Sequence, residues 1–146
     1  MIIPDIGIKK LVEDGFLPPG LTIGPSSVDL TLSDSFSWPK PDKDKIILGE
    51  SVSNKQVQKD EFVLEPNHFV LVSTAESIRV PHDMAAYVER RSSIGRLGLQ
   101  MQNAGFIDAR FHGQKTFELE NQSGFPIVLK IRSPDLPDCV CTNEPV

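Results

Sequence analysis

Residues 61–89, EFVLEPNHFVLVSTAESIRVPHDMAAYVE, decide the fold class because short apolar or alternating runs follow one another with turn-forming residues between them. The runs occupy residues 61–64, 68–73, 76–80 and 84–89. Pro66-Asn67 and Pro81-His82-Asp83 lie at two of the three boundaries, and each run contains β-branched or aromatic residues. This pattern predicts strands joined by tight turns. Many short strands at this spacing are typical of an antiparallel barrel or a jelly-roll-like sandwich.

The rest of the chain extends the same pattern. Further strands are predicted at residues 27–32, 45–48, 115–121 and 126–131. A single early helix is predicted between Pro4-Asp5 and Gly15, with apolar residues at helical spacing at Ile8, Leu11 and Val12. Residues 39–60 are polar and rich in lysine, which indicates a surface excursion. The expected fold is therefore mainly β with short helices.

Composition limits the classes of function. A chain of 146 residues with 39% hydrophobic and 24% charged residues indicates one globular domain. No apolar run reaches the roughly 18–20 residues of a membrane span, and the first residues do not resemble a secretory signal. We therefore expect a cytoplasmic protein. The net charge of -5 argues against a general binder of nucleic acid or anionic membranes, so an anionic ligand needs a local group of cations.

The two cysteines give no sign of a metal site. Cys139 and Cys141 are two positions apart and have neither a second ligand pair nor nearby histidines. A zinc site normally needs both features. We therefore expect no zinc, and we interpret the two thiols as small incidental side chains.

Residues 90–99, RRSSIGRLGL, concentrate three arginines and two adjacent hydroxyls in an otherwise acidic chain. Arginine forks and serine hydroxyls are groups that hold phosphate oxygens, and serines that open a helical turn add backbone N–H donors. The same decapeptide is also compatible with a short capped helix whose arginines are solvated. Both interpretations stay open from these residues alone.

Two later segments carry carboxylates. In residues 103–113, NAGFIDARFHG, Asp108 lies in a loop and Phe111 follows three positions later. A lone loop aspartate is usually a turn residue, but here an aromatic side chain that can cover a sugar or base accompanies it. In residues 115–121, KTFELEN, alternation places Phe117 and Leu119 on one face and Glu118 on the other. A solvated outer face is the default interpretation of such a strand.

Taken in order, three segments resemble motifs of the dCTP deaminase and dUTPase superfamily. They are PSSVDLTL at residues 25–32, RRSSIGRLGL at 90–99 and NAGFIDARFHGQKTFELEN at 103–121. Residues 61–89 are also similar, and the resemblance covers roughly residues 5–131 in one register. It implies a single domain over residues 1–146 with a distorted antiparallel β-barrel, jelly-roll-like and of dUTPase type. It also implies a homotrimer with nucleotide sites between subunits.

The branch of the superfamily is indicated by individual positions. Arg96 in RSSIGRLGL and Glu118 in TFELEN resemble deaminases, whereas AGFID around Asp108 resembles dUTPases and bifunctional deaminases. Gly105 stands where single-function deaminases carry a bulkier residue. The resemblance favours the bifunctional branch, which converts dCTP to dUTP and then dUTP to dUMP and diphosphate. The alternatives are a dUTPase alone, or a truncated, catalytically weak nucleotide-binding protein.

The resemblance also implies roles in deamination. The family works without zinc, and this chain lacks the HxE and PCxxC motifs of zinc deaminases. Without a metal, a carboxylate must take a proton from water and return it to the base, and the resemblance assigns this to Glu118. Ser92 and the backbone near Ala104 would position the water and hold the developing oxyanion. Arg96 would orient Glu118 or the base.

For dUTP hydrolysis, the resemblance implies that Asp108 orients a water toward the α-phosphorus. Mg²⁺ would be held by phosphate oxygens and waters, with no direct protein ligand. Arg91 and Ser93 would bind phosphate, Gly105 would lie beside the nucleotide, and Phe111 would pack on the deoxyribose. The partners implied are dCTP, dUTP, dTTP as an inhibitor and two further copies of the chain.

The sequence departs from the family pattern in several places. Arg90 and Arg110 stand where glycine is frequent, Ala109 where proline is frequent, and Lys115 where an apolar residue is usual. Residues 132–146, RSPDLPDCVCTNEPV, replace the family's last apolar strand and its lid. One choice of codons for this tail, shifted by one nucleotide, encodes an apolar strand, which suggests a frameshift. Because of its prolines and acidic residues, we expect that the tail does not rebuild the strand in full, and that it lies on the surface or is mobile.

Overall fold

The computed structural model describes residues 2–42, 44–102, 105–131 and 139–145, and these residues form two helices and eleven strands. The helices are α1 (Asp5–Glu13) and α2 (Ser92–Gly95). The strands are β1 (Ser27–Leu30), β2 (Leu32–Pro39), β3 (Asn54–Gln58), β4 (Glu61–Leu64), β5 (Phe69–Arg79), β6 (Met84–Glu89), β7 (Leu99–Gln102), β8 (Phe106–Ile107), β9 (His112–Asn121), β10 (Ile127–Lys130) and β11 (Cys139–Pro145). Neither helix in this part of the chain is long and apolar enough to cross a membrane.

The strands form three antiparallel sheets. The largest has five strands in the order β3-β2-β5-β9-β7, the second has four in the order β1-β11-β6-β8, and the third pairs β10 with β4. Every described strand pair is antiparallel. The predicted mainly β, antiparallel fold is therefore confirmed.

The core follows from the alternation of apolar residues along β5 and β9. Val70 and Val72 in β5 and Phe117 and Leu119 in β9 are buried, and their neighbours in sequence face outward. Phe36 of β2 is fully buried in the same core. Burying an aliphatic or aromatic side chain of this size contributes about 1.5–3 kcal/mol. This face of the five-stranded sheet therefore fixes the register that places Glu118 on the other face.

The early helix agrees with its prediction. Pro4 occupies the N-cap position of α1, Ile8 and Leu11 are buried, and Gly15 follows the helix with φ of +77°. Proline at a helix start needs no hydrogen-bond partner for a backbone N–H, and glycine adopts a positive φ without strain. Sequence signals at both ends therefore located this element well.

Two strand predictions were wrong in the first half of the chain. Residues 45–48 form no strand, and Leu48 is 96% exposed in the loop between β2 and β3. The strand in this region is β3, whose sequence NKQVQ is too polar to be recognised by alternation. Residues 68–73 and 76–80 belong to one strand, β5, because a shift in register between Ser73 and Ser77 bends it without ending it.

The prediction for the tail was wrong over residues 139–145. Here β11 pairs with β1 on one side and with β6 on the other, so it is a central strand of the four-stranded sheet. The physical reason is the position of the prolines: Pro134 and Pro137 precede the strand, and Pro145 is its last residue. Residues 139–144 contain no proline, so each has a backbone N–H that can donate to a neighbouring strand. Residues 132–138 and 146, on which the expectation of a missing lid also rests, lie outside the described residues.

Candidate functional site

The arginine–serine segment forms a single helical turn directly after β6. Its serines open α2, as predicted, and the backbone N–H groups of Ile94 and Gly95 donate to Arg91 O at 3.1 Å. Ser92 and Ser93 are exposed. Arg96 follows the turn and is exposed as well. The hydroxyls and this guanidinium are therefore accessible to a ligand from solvent.

Arg91 is held by a carboxylate that the sequence analysis did not single out. Its Nη2 donates to Oδ2 of Asp29 in β1, and Asp29 is only 7% exposed, between the fully buried Val28 and Leu30. The Nε of Arg91 is also buried and has no hydrogen-bond partner among the described residues. A buried carboxylate normally requires a paired cation. The sequence signal that could have identified Asp29 is its position between apolar residues in the predicted strand SVDL.

Glu118 lies in the middle of β9, on the face opposite the core. Its register partners are Leu71 in β5 and Gln102 in β7, and its side chain is half-buried. Phe117 and Leu119 on either side are 0% and 3% exposed. The predicted orientation of the strand is confirmed. The backbone of Glu118 is therefore fixed by the core while its carboxylate remains accessible.

Beside Glu118 the chain leaves the five-stranded sheet. The ladder between β7 and β9 ends at the pair Gln102 and Glu118, and the next described residues pair with β6 instead. Gly105 O accepts a hydrogen bond of 2.7 Å from Val88 N. A Cβ at Gly105 would find only Val88 O, at 4.0 Å, so the space around this residue is open. The described ladder on this side of β9 therefore ends at Glu118.

Asp108 begins the turn that returns the chain to β9. Phe111 N donates to Asp108 O at 3.2 Å, and Arg110 N donates to Val80 O at 3.1 Å. Arg110 has φ of +67°, in the left-handed region that favours glycine. Asp108 is exposed, whereas Phe111 is half-buried and packs against the core. The carboxylate is therefore accessible, and only part of the Phe111 ring is available to a ligand.

Within one chain, the predicted site residues do not all contact one another. Glu118 lies at the end of the ladder between β7 and β9, and Asp108 and Phe111 lie shortly before the start of β9. Among the described residues, no hydrogen bond or ion pair links Arg91, Ser92, Ser93 or Arg96 to Glu118 or Asp108. Ala104 lies outside the described residues. The described part of the chain contains no group of three or more His, Cys, Asp or Glu residues arranged to hold a metal ion.

Comparisons with known proteins agree with the motifs. Residues 2–133 match the sequence profile of the dCTP deaminase-like family. A Sulfurihydrogenibium sp. protein named "dCTP deaminase, dUMP-forming" is 38% identical over 136 residues, which cover 87% of this chain and 76% of the relative. A Hydrogenobaculum sp. protein of the same name is 45% identical over 105 residues, covering 71% of this chain and 59% of the relative.

The fold also has a counterpart among solved structures. The crystal structure of 2'-deoxycytidine 5'-triphosphate deaminase from Agrobacterium tumefaciens superposes with a TM-score of 0.75 at 22% identity. The match covers 99% of this chain and 48% of that chain. At this identity the likeness shows a shared fold. This chain spans about half the length of the Agrobacterium protein.

Proposed function

Because this chain belongs to the dCTP deaminase-like family, we propose that it hydrolyses dCTP to dUTP and ammonia and then dUTP to dUMP and diphosphate. The observation that carries the proposal is the name of two relatives, "dCTP deaminase, dUMP-forming", at 38% and 45% identity. Formation of dUMP from dCTP requires both loss of the amino group and loss of diphosphate. We assign one carboxylate to each step, namely Glu118 to deamination and Asp108 to release of diphosphate.

In deamination, Glu118 acts as the general base. A water attacks C4 of the cytosine while the carboxylate takes one of its protons and gives it to the ring nitrogen. The carboxylate then takes the second proton from the new C4 hydroxyl and gives it to the amino group, and the C4–N bond breaks to release ammonia. The half-buried position in β9 supports this role, because strands pair with β9 on both sides at Glu118 while its side chain keeps contact with solvent.

The turn at α2 binds the triphosphate and completes the deamination site. Arg91 and Ser93 contact phosphate oxygens, while Ser92, with backbone near Ala104, positions the water and the developing oxyanion. Arg96 orients Glu118 or the base. The buried partner of Arg91, Asp29, supports this assignment because it orients a guanidinium-bearing side chain that is still 37% exposed.

Asp108 orients the water that attacks the α-phosphorus of dUTP, and Phe111 contacts the deoxyribose beside Gly105. Mg²⁺, when bound, would offset the negative charge that develops on the phosphates. Mg²⁺ is commonly held by one or two carboxylates together with substrate phosphates and waters. Because Asp108 is assigned to the attacking water, and the described residues contain no group of three or more candidate ligands, we assign no direct protein ligand to the ion. The ion would therefore depend mainly on the nucleotide.

A complete site requires more than one copy of the chain. The described contacts leave α2 without a link to Glu118 or Asp108, which supports a site shared between subunits of a homotrimer. A neighbouring copy would present its arginine–serine turn to the open space beside Gly105. We also propose that dTTP competes at this site, because it carries the same deoxyribose and triphosphate as the substrates.

Turnover of dCTP and dUTP, with nucleotide products separated and ammonia measured, tests the proposal. We expect dUMP, ammonia and diphosphate from dCTP, and loss of diphosphate release when Mg²⁺ is chelated. Conversion of dUTP without any conversion of dCTP would establish the dUTPase alternative. Binding of both nucleotides without turnover of either would establish the nucleotide-binding alternative and overturn the proposal.

A further inference from the structure

Arg90, which lies between β6 and α2, packs its guanidinium directly on Gly95. A Cβ added at Gly95 would lie 2.5 Å from Arg90 Nη1 and 2.7 Å from Arg90 Cζ, closer than side-chain carbons approach other atoms. Gly95 belongs to the helical turn and does not have a positive φ. Its backbone would therefore accept any ordinary residue. The present position of the guanidinium therefore depends on the absence of a side chain at Gly95, and a Cβ there would displace it.

The same guanidinium contacts the neighbouring strand. Arg90 Nη2 donates to Gln100 Oε1 in β7 at 3.2 Å. Arg90 also lines a small cavity of about 30 Å³ together with Ile94 of α2 and Leu99 and Met101 of β7. Arginine stems commonly cover apolar surface in this way while the charged end makes polar contacts. Arg90 therefore links α2 to β7 by apolar contact, by packing on Gly95 and by a hydrogen bond.

This link has consequences because α2 is a single turn. Four residues cannot form a stable helix from their own hydrogen bonds, so contacts with the rest of the fold must hold the turn in place. The turn presents Ser92 and Ser93 to solvent. The strand at the other end of the link, β7, pairs with β9 so that Gln102 lies opposite Glu118. Arg90 therefore connects the serine turn to the strand beside the proposed catalytic carboxylate.

We propose that Arg90 is a positioning residue: its guanidinium occupies the space that a side chain at Gly95 would fill, and so fixes the Ser92–Gly95 turn against β7. The expected effect on catalysis rests on the proposed function, because it presupposes that the Ser92–Gly95 turn binds the nucleotide substrate. Arg90 is not proposed to contact the nucleotide, since Gly95 and Gln100 already occupy its guanidinium.

The first test is thermal unfolding of Gly95→Ala in two backgrounds. With Arg90 present, the new Cβ displaces the guanidinium and Gly95→Ala should lower the unfolding temperature. With Arg90→Ala, the collision is absent, and alanine should raise the unfolding temperature because it favours a helical turn more than glycine does. A change of the same sign and size in both backgrounds would overturn the proposed packing.

The second test compares Arg90→Met and Arg90→Lys, with Lys59→Met as a control for loss of one cation at an exposed position between β3 and β4. Arg90→Met keeps an unbranched apolar side chain and removes the guanidinium group. We expect the KM for dCTP to rise about tenfold with a smaller fall in kcat, because the turn shifts slightly and its serines no longer match the substrate. Unfolding temperature should change by no more than about 2 °C. Lysine should rescue little, because an ammonium cannot lie flat on Gly95 and donate to Gln100.

Amide hydrogen exchange tests the role of Arg90 independently of enzymatic activity. Residues 94–98 donate the backbone hydrogen bonds of the α2 turn, and Arg90→Met should speed their exchange while Lys59→Met leaves it unchanged. If wild-type protein converts neither dCTP nor dUTP, the proposed function fails, and the exchange data and the two Gly95→Ala measurements still decide the role of Arg90. Unchanged exchange and unchanged KM in Arg90→Met would overturn that role.

Discussion

Glu118 can be altered without disturbing the fold, because the core holds β9 through Phe117 and Leu119 and not through the carboxylate. We expect Glu118→Gln to lower dCTP deamination by about a hundred- to ten-thousandfold, since the amide keeps the shape but cannot accept the proton. Binding of dCTP should change little. Rates of ammonia release and calorimetric binding measure the two effects. Glu120→Gln, two positions along the same face, is the matched control, and undiminished deamination in Glu118→Gln would contradict the assignment.

Asp108 should be separable from Glu118 by its substrate. Asp108→Asn removes the charge that would orient water at the α-phosphorus, so we expect dUTP hydrolysis to fall by about a hundredfold or more and dCTP deamination to fall much less. The ratio of dUMP to dUTP produced from dCTP measures this directly. Asp83→Asn, another exposed aspartate, controls for loss of charge. An equal loss of both activities would show that Asp108 mainly shapes the pocket.

Arg110 carries a conformational strain that can be measured. A non-glycine residue with φ near +67° costs about 1–2 kcal/mol relative to glycine, and glycine gives back about 0.4–1 kcal/mol through the flexibility of the unfolded chain. We therefore expect Arg110→Gly to stabilise the protein by up to about 1 kcal/mol in urea unfolding. Arg110→Ala keeps the strain and should give no gain. Equal effects of the two substitutions would show that the turn relaxes without strain.

At the scale of the secondary structure elements, β11 stabilises the four-stranded sheet from its centre. Its residue Val140 pairs with Asp29 on one side and Glu89 on the other. Val140→Pro removes a ladder donor in a strand that has neighbours on both sides, and we expect a loss of about 2–4 kcal/mol. Gln56→Pro in the edge strand β3 should cost clearly less. Urea unfolding of the two variants compares them, and a greater loss in Gln56→Pro would contradict the central position of β11.

The elements that could be predicted from the sequence are those whose own residues show a helix or strand pattern. Alternation between core and surface identified β9, and a proline start with a glycine end identified α1. The strands β3 and β8 are polar or only two residues long, and their conformation depends on partners distant in sequence. The same limit applies to the site: the resemblance supplied Glu118 and Asp108, whereas the partner of Arg91 is fixed only by the fold.

At the scale of the whole molecule, we expect three copies to assemble. Tyr87 and Phe106 form an exposed aromatic pair with ring centroids 5.3 Å apart, and both side chains remain at least 39% exposed in one chain. Together with a site whose parts are not joined within one copy, this exposure favours association. Light scattering at micromolar concentration should give a trimer, and nucleotide turnover should fall on dilution below the dissociation constant. An active monomer would contradict a shared site.

The central position of β11 also constrains how the protein is made. Strands β1 and β6 leave the ribosome before β11 exists, yet in the finished sheet they lie on either side of it. At the usual rate of about 5–20 residues per second, β6 waits on the order of 3–10 s for its neighbour. During that interval two strand edges that can recruit another chain are exposed. Translation speed between β6 and β11, and the crowding of ribosomes on one message, should therefore affect the soluble yield of this protein.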